Sequence, residues 1–147
     1  MAKQSAGVLL WRRRRAQIEV LIEHPGGPFF AHQDQGVWSI PKGEPEAGEL
    51  AIDAAKREFH EELGVAPPAG VYWPLGEIRQ RSGKIVAVWA VEGDFNPAAL
   101  VSNLTSHGWP EVDRVEWVSI ESARERLVAG QAELLDRLLL HVQIADI

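Results

Sequence analysis

Cysteine is absent from the 147-residue chain. That excludes a disulfide framework, a thiolate nucleophile and any metal centre built on cysteine sulfur. It fits a reducing compartment, so a cytoplasmic location is expected. Long apolar runs are missing too. The longest, Ile85–Val91, is far too short to span a bilayer. The apolar stretch near the N-terminus is too short for a signal peptide. Positive charge is in deficit, with 15 Lys and Arg against 21 Asp and Glu and a net charge of −6. General nucleic-acid binding needs a basic surface and is disfavoured. The run Arg12–Arg15 is the exception, and it reads as a solvated hairpin turn rather than a phosphate site.

What is present suits one soluble domain over residues 1–147. Hydrophobic residues make up 46% and charged residues 24%, an ordinary globular balance. Ala6–Trp11 and Ile18–Glu23 read as strands joined through the arginine run. His24–Gly36, rich in Gly and Pro, reads as a long loop, Val37–Ile40 as a short strand, and the segment from Pro41 to Leu50 as another loop. From about Glu49 to Leu63 the pattern turns helical, with Ile52, Ala55, Phe59 and Leu63 forming a buried stripe and Gly64 a natural stop. Val71–Gln80 and Lys84–Gly93 follow as strands around a Ser82–Gly83 turn. Phe95–Val112 has little regularity, and Arg114–Ile120 alternates as a strand. Glu121–Arg126 and Gln131–Val142 read as a short and a longer helix. Strands and helices intermix, so the class is α/β or α+β with a mixed sheet between helices.

On the central helix, Glu58, Glu61 and Glu62 fall within about a 100° arc, away from the apolar stripe. Like charges at these spacings repel by a few tenths of a kcal/mol per pair. Glu61 and Glu62 also meet the negative end of the helix dipole, at roughly 0.3–1 kcal/mol each. A positive group should offset this. Arg57, at i, i+4 to Glu61, is one candidate. A hard divalent cation such as Mg²⁺ or Mn²⁺, which prefers carboxylate and water oxygens, is the other. A solvated acidic helix face is the bland alternative.

Upstream spacing bears on that choice. Gly43 is followed by five residues and Glu49, then by seven more and Arg57-Glu58-Phe59, then by His60, Glu61-Glu62, Leu63, Gly64 and Val65. This resembles the Nudix box, GX5EX7REUXEEXGU, at every defining position. Phe59 is an unusual but apolar occupant of U. The order of strands resembles the Nudix domain over essentially the whole chain. The resemblance implies a Nudix-type α/β/α sandwich with a mixed central sheet. It implies a Mg²⁺-dependent hydrolase, with Mn²⁺ able to substitute, that cleaves the pyrophosphate linkage of a nucleoside diphosphate joined to another moiety. Glu58, Glu61 and Glu62 resemble the metal ligands and the catalytic carboxylates, joined by a backbone carbonyl at or beside Gly43. Glu49, Arg57 and Gly64 resemble the structural part of the box, with Glu49 and Arg57 holding loop to helix.

The stretch Trp38–Glu44 is similar to relatives that cleave dinucleoside polyphosphates and diphosphoinositols. His24–Ala31, Gln80–Lys84 and Trp109–Trp117 resemble a bacterial branch of NTP pyrophosphohydrolases. Around the box, Lys42 is a candidate phosphate contact. Arg81 and Lys84 reach phosphates only if their hairpin borders the cleft, and solvated turn residues are the simpler reading. Glu111 or Asp113 is a candidate fourth ligand or general base. Trp38 and Trp109 are candidates for stacking on a base, with packing as the default. Trp89 and Trp117 read as core, and His24, His32 and His107 as incidental loop residues. The expected partner is a small nucleoside polyphosphate, the chain acting as monomer or homodimer. Two rival readings are an RNA 5′-end pyrophosphohydrolase, which the acidic balance disfavours, and a non-catalytic nucleotide-binding module. Modules of that second kind often lose box carboxylates that are all present here.

Overall fold

The computed structural model describes residues 3–145. Among them lie strands β1 (Gln4–Arg14), β2 (Gln17–Pro25), β3 (Lys42–Gly43), β4 (Trp73–Arg79), β5 (Ile85–Glu92) and β6 (Val112–Ser119). Helices α1 (Ala51–Leu63), α2 (Ile120–Arg126) and α3 (Ala132–Ala145) complete the set, with one 3-10 turn at Pro97–Ala99. The strands form one sheet in the order β4-β5-β1-β2-β6, and β3 lies on β1. β1 runs parallel to β5, and every other pairing is antiparallel.

The sheet is covered on both faces because its strands alternate between two apolar sets. Leu9 and Trp11 of β1 and Val20 and Ile22 of β2 face Ala123 of α2 and Leu134, Leu135 and Leu138 of α3. Ala6, Val8 and Leu10 of β1 and Leu21 of β2 face Ala54, Ala55, Phe59 and Leu63 of α1. The result is the expected α/β/α sandwich with a mixed central sheet. No helix among the described residues is long and apolar enough to cross a membrane.

Several local expectations change. Lys42–Gly43 is a short strand on β1 rather than loop. Gly7 permits this, because a Cβ there would lie 2.8 Å from the Pro41 carbonyl oxygen and 2.9 Å from Ile40 Cδ1. The absent side chain lets the Val8 N–H reach Pro41 O at 3.1 Å. Val37–Ile40 is not a strand. Trp38 and Ser39 make only isolated bridges, to Leu127 and Glu23. In α1, Ile52 is half-buried and Ala54 is fully buried beside Ala55, Phe59 and Leu63. The arginine run is not wholly a solvated turn. Arg15 and Ala16 form the turn, both at positive φ as a two-residue hairpin demands. Arg12 instead sits in β1 with its guanidinium 4.1 Å from the Trp117 ring and ion pairs to Glu19 and Asp94.

One buried side chain fixes the path into the loop before α1. Gln131 is fully buried at the start of α3. Its Oε1 accepts the Ile40 N–H at 3.0 Å, and its Nε2 donates to Ser39 Oγ at 3.0 Å and Gln80 Oε1 at 2.9 Å. Three distant segments thus meet on one amide. Replacing it with an apolar isostere strands the Ile40 N–H in the core, a loss of roughly 1–3 kcal/mol. Gln131→Leu should lower the free energy of unfolding by that amount in urea denaturation. An unchanged midpoint would contradict the assignment.

Candidate active site

The site begins with the loop that joins β3 to α1. Arg57, itself on α1, makes three hydrogen bonds to this loop and two to carboxylates of its own helix. Its Nε and Nη2 donate to the two carboxylate oxygens of Glu49 at 2.9 and 3.0 Å, and Nη2 also donates to Glu44 O at 3.1 Å. Nη1 donates to Glu58 Oε1 and Glu61 Oε2, each at 3.0 Å. The fork matches a carboxylate bidentately, which point charges do not. Glu49 also accepts the Glu46 N–H at 3.0 Å. The Arg57 hydrogen bonds hold the Glu49 carboxyl below its usual range, and the Glu49 bond raises the Arg57 guanidinium further still.

Gly43 then meets Glu58. A methyl at Gly43 would overlap the Glu58 carboxylate, so only glycine lets backbone and carboxylate come this close. At the other end of the helix, Gly64 caps α1 at φ 79°, and its N–H donates to His60 O at 2.8 Å. The left-handed turn suits glycine.

Glu62 faces inward. Its carboxylate accepts the Lys42 backbone N–H, and burial pushes its pKa up to about 7 against that bond, a hydrogen bond with Glu23 and the Lys42 charge. Glu23, on β2, is held well above the usual carboxylate range by burial first and by Glu62 second. Glu58 is raised by burial, with Arg57 opposing and Glu61 and Glu111 adding to it. The Glu111 carboxylate also raises Glu23. Glu23, Glu58, Glu62 and Glu111 therefore share one field, with Lys42 as the nearby cation.

The expected residues divide accordingly. Glu58 and Glu62 converge with Gly43, Lys42 and Glu111. Glu61 is exposed and turned to Arg57. Lys84 borders the same region, since burial and then the Lys42 charge lower its pKa while Glu44 raises it. Arg81 is exposed at the tip of the β4–β5 turn. Trp38 is corrected: it is fully buried, its Nε1 donates to Asp34 at 2.8 Å, and it packs edge-on with His24. No face is open for a base. Asp113 is spent on His24, whose Nδ1 lies 2.9 Å from its Oδ1 while Nε2 lies 2.7 Å from Gln33 O. His24 is thus a buried strut at the end of β2 rather than a loop residue. Trp109 is half-buried beside Gly27, its ring tilted by 30° to that of His107 with centroids 4.9 Å apart. Glu23 was not foreseen. It lies outside the box, on β2, two residues after Leu21 and therefore on the face that α1 covers.

Among the described residues, no three His, Asp or Glu groups stand around a common point as a finished metal cage. The donor set nonetheless fits a hard cation. Glu62 Oε2 and Glu23 Oε1 are buried without hydrogen-bond partners, Glu58 is pressed to the Gly43 backbone, and all the donors are oxygens.

A family model described as the NUDIX domain matches residues 1–138. An 8-oxo-(d)GTP phosphatase of Mycolicibacterium smegmatis is 30% identical over 141 residues, covering 84% of this chain and 37% of that protein. The chain therefore spans little more than a third of that relative's length. An Ap4A hydrolase of C. elegans, solved as a binary complex, aligns at TM-score 0.71 and 23% identity over 97% of this chain and 98% of its own. The NUDIX domain of Shewanella oneidensis NrtR, complexed with ADP ribose, aligns at 0.69 and 16% over 97% and 89%. At these identities the solved structures share the fold.

Glu23 and Glu62 hold protons more tightly in the folded chain than in the unfolded one. The contribution of Glu62 to stability is therefore complete below the ordinary carboxylate value of 4.5 and is lost as pH rises through about 7, and that of Glu23 falls in the same direction. Urea denaturation of metal-free protein should show this loss between about pH 5 and 7, on the order of 2–3 kcal/mol. Glu62→Gln should flatten it. Equal slopes in wild type and variant would contradict the burial of Glu62.

Proposed function

Because the chain belongs to the NUDIX family, we propose that it is a divalent-metal-dependent pyrophosphohydrolase, with Mg²⁺ as the metal and Mn²⁺ as a substitute. Its substrate is a nucleoside diphosphate linked to another moiety, a nucleoside triphosphate or a dinucleoside polyphosphate. The observation that carries this reading is the contact between the Gly43 backbone and the Glu58 carboxylate, beside a buried Glu62 oxygen that lacks a partner. The activities named for the M. smegmatis and C. elegans proteins support the substrate class, since both act on nucleotides whose phosphates are joined by anhydride bonds.

Roles follow from position. Glu58 and Glu62 hold the cation, with the Gly43 carbonyl region beside them and Glu61 at the exposed edge. The chemistry that a divalent cation would supply there is neutralisation of the pyrophosphate charge and a lower pKa for the attacking water. Lys42 and Lys84 supply positive charge to the substrate phosphates. Glu111 stands on the rim, its backbone N–H donating to Asn103 O at 2.8 Å and its carbonyl accepting from the Gly26 N–H at 2.9 Å. Its carboxylate receives the proton of the attacking water. Arg57 acts indirectly by fixing Glu58 and the loop. The whole of residues 1–147 forms one catalytic domain working in the cytoplasm.

A panel of nucleoside triphosphates, 8-oxo-dGTP and dinucleoside polyphosphates with Mg²⁺ should yield turnover of at least one member. Glu58→Gln and Glu62→Gln should each lower kcat by about 10²–10⁴-fold while circular dichroism stays unchanged. Full Mg²⁺-dependent activity in both variants would refute the site. Chelation should abolish turnover yet leave cooperative unfolding intact. A chain that unfolds on chelation would instead hold a structural metal.

A further inference from the structure

Glu23 is the one acidic group of the cluster that the roles above leave unused. It lies outside the Gly43–Val65 motif, on β2, opposite Val115 and bridged to Ser39. Side chains alternate along a strand, so Glu23 shares the face of Leu21, which packs against α1. A structural position on that face calls for another apolar residue. Instead the residue is a glutamate, only 9% exposed, whose carboxyl group lies within hydrogen-bonding reach of Glu62. Its Oε1 is buried and unpartnered, as is Glu62 Oε2. Two buried carboxyls in contact, each with a free oxygen, are costly unless a proton or a cation answers them. Lys42 is the nearby basic side chain, and its charge acts on both.

We infer that Glu23 is an additional ligand of the same cation site, its free oxygen joining those of Glu58 and Glu62 around a hard divalent ion. This rests on the metal-dependent reading above. It makes the site a two-element device, with carboxylates from both α1 and the sheet. An oxygen-only set of this kind suits Mg²⁺ or Mn²⁺. The competing role is purely structural: a protonated Glu23 that donates to Glu62 and holds it in place.

Glutamine separates the two roles. Its amide still donates to Glu62 but offers no anionic oxygen. Free Mn²⁺ is followed by electron paramagnetic resonance as it is titrated into wild type, Glu62→Gln and Glu23→Gln, each checked for folding by circular dichroism. Glu23→Gln should weaken Mn²⁺ binding by at least about tenfold. Binding as tight as wild type, alongside weakened binding in Glu62→Gln, overturns the role of Glu23 and leaves the metal site standing. Unchanged binding in Glu62→Gln, or none in wild type, overturns both. Should Glu23→Gln not fold, ¹³C carboxyl resonances of wild-type protein decide under Mg²⁺ titration. The Glu23 resonance should move together with those of Glu58 and Glu62, and a Glu23 resonance that stays fixed while those move overturns the inference.

Discussion

The clamp centred on Arg57 is the interaction on which the rest of the site depends. The largest apolar side chain of the loop between β3 and α1, Leu50, is 68% exposed, so apolar packing by that side chain does not hold the loop against the helix. One guanidinium does that work by engaging both oxygens of Glu49 and the Glu44 carbonyl. The same group touches Glu58 and Glu61, so the loop and the acidic face of α1 are fixed in one operation. Five donors in a rigid plane can do this, whereas a lysine in the same place would hold one partner at a time. With the loop fixed, Gly43 lies against Glu58, and the backbone there is available to whatever Glu58 binds.

The clamp accounts for Glu49, Glu58 and Glu61 but not for Glu62 and Glu23. Glu61 has its counter-charge in Arg57. Glu62 and Glu23 do not, and Lys42 acts on both without forming a close pair with either. Burial dominates their titration, which is why both carboxyls retain protons more readily than solvated ones. A stable fold has no reason to bury two like charges together. Retaining them at the meeting point of α1 and β2 costs stability near neutral pH, which a bound cation would offset. Strain of this kind is expected where a fold departs from its own patterning to serve a function.

How legible the molecule was in its sequence depended on how far apart the interacting residues lie. The strands and helices followed from alternation and helical spacing, and the loop-helix unit from Gly43 to Val65 was legible because its partners are close in the chain. Long-range pairing was not. Lys84 reaches the site because β5 runs beside β1, which in turn carries Gly43 opposite Ala6. Glu23 lies on the face of β2 that α1 covers, and its one-letter context resembles any polar end of a strand. Trp38 shows the reverse. Four residues before Lys42 in sequence, it packs with His24 in the core of the opposite face of the sheet, so nearness to the motif in sequence misled. Ala54 escaped the apolar stripe because alanine carries little pattern of its own.

The central claim is that a clamped loop and the inner face of α1 together form a divalent-cation site. Crystals soaked in Mn²⁺ and measured at the manganese absorption edge test it directly. The account predicts one strong anomalous peak bonded to carboxylate oxygens of Glu58 and Glu62 and adjoining the Gly43 backbone. A peak at another surface group, with none between Gly43 and α1, would contradict it.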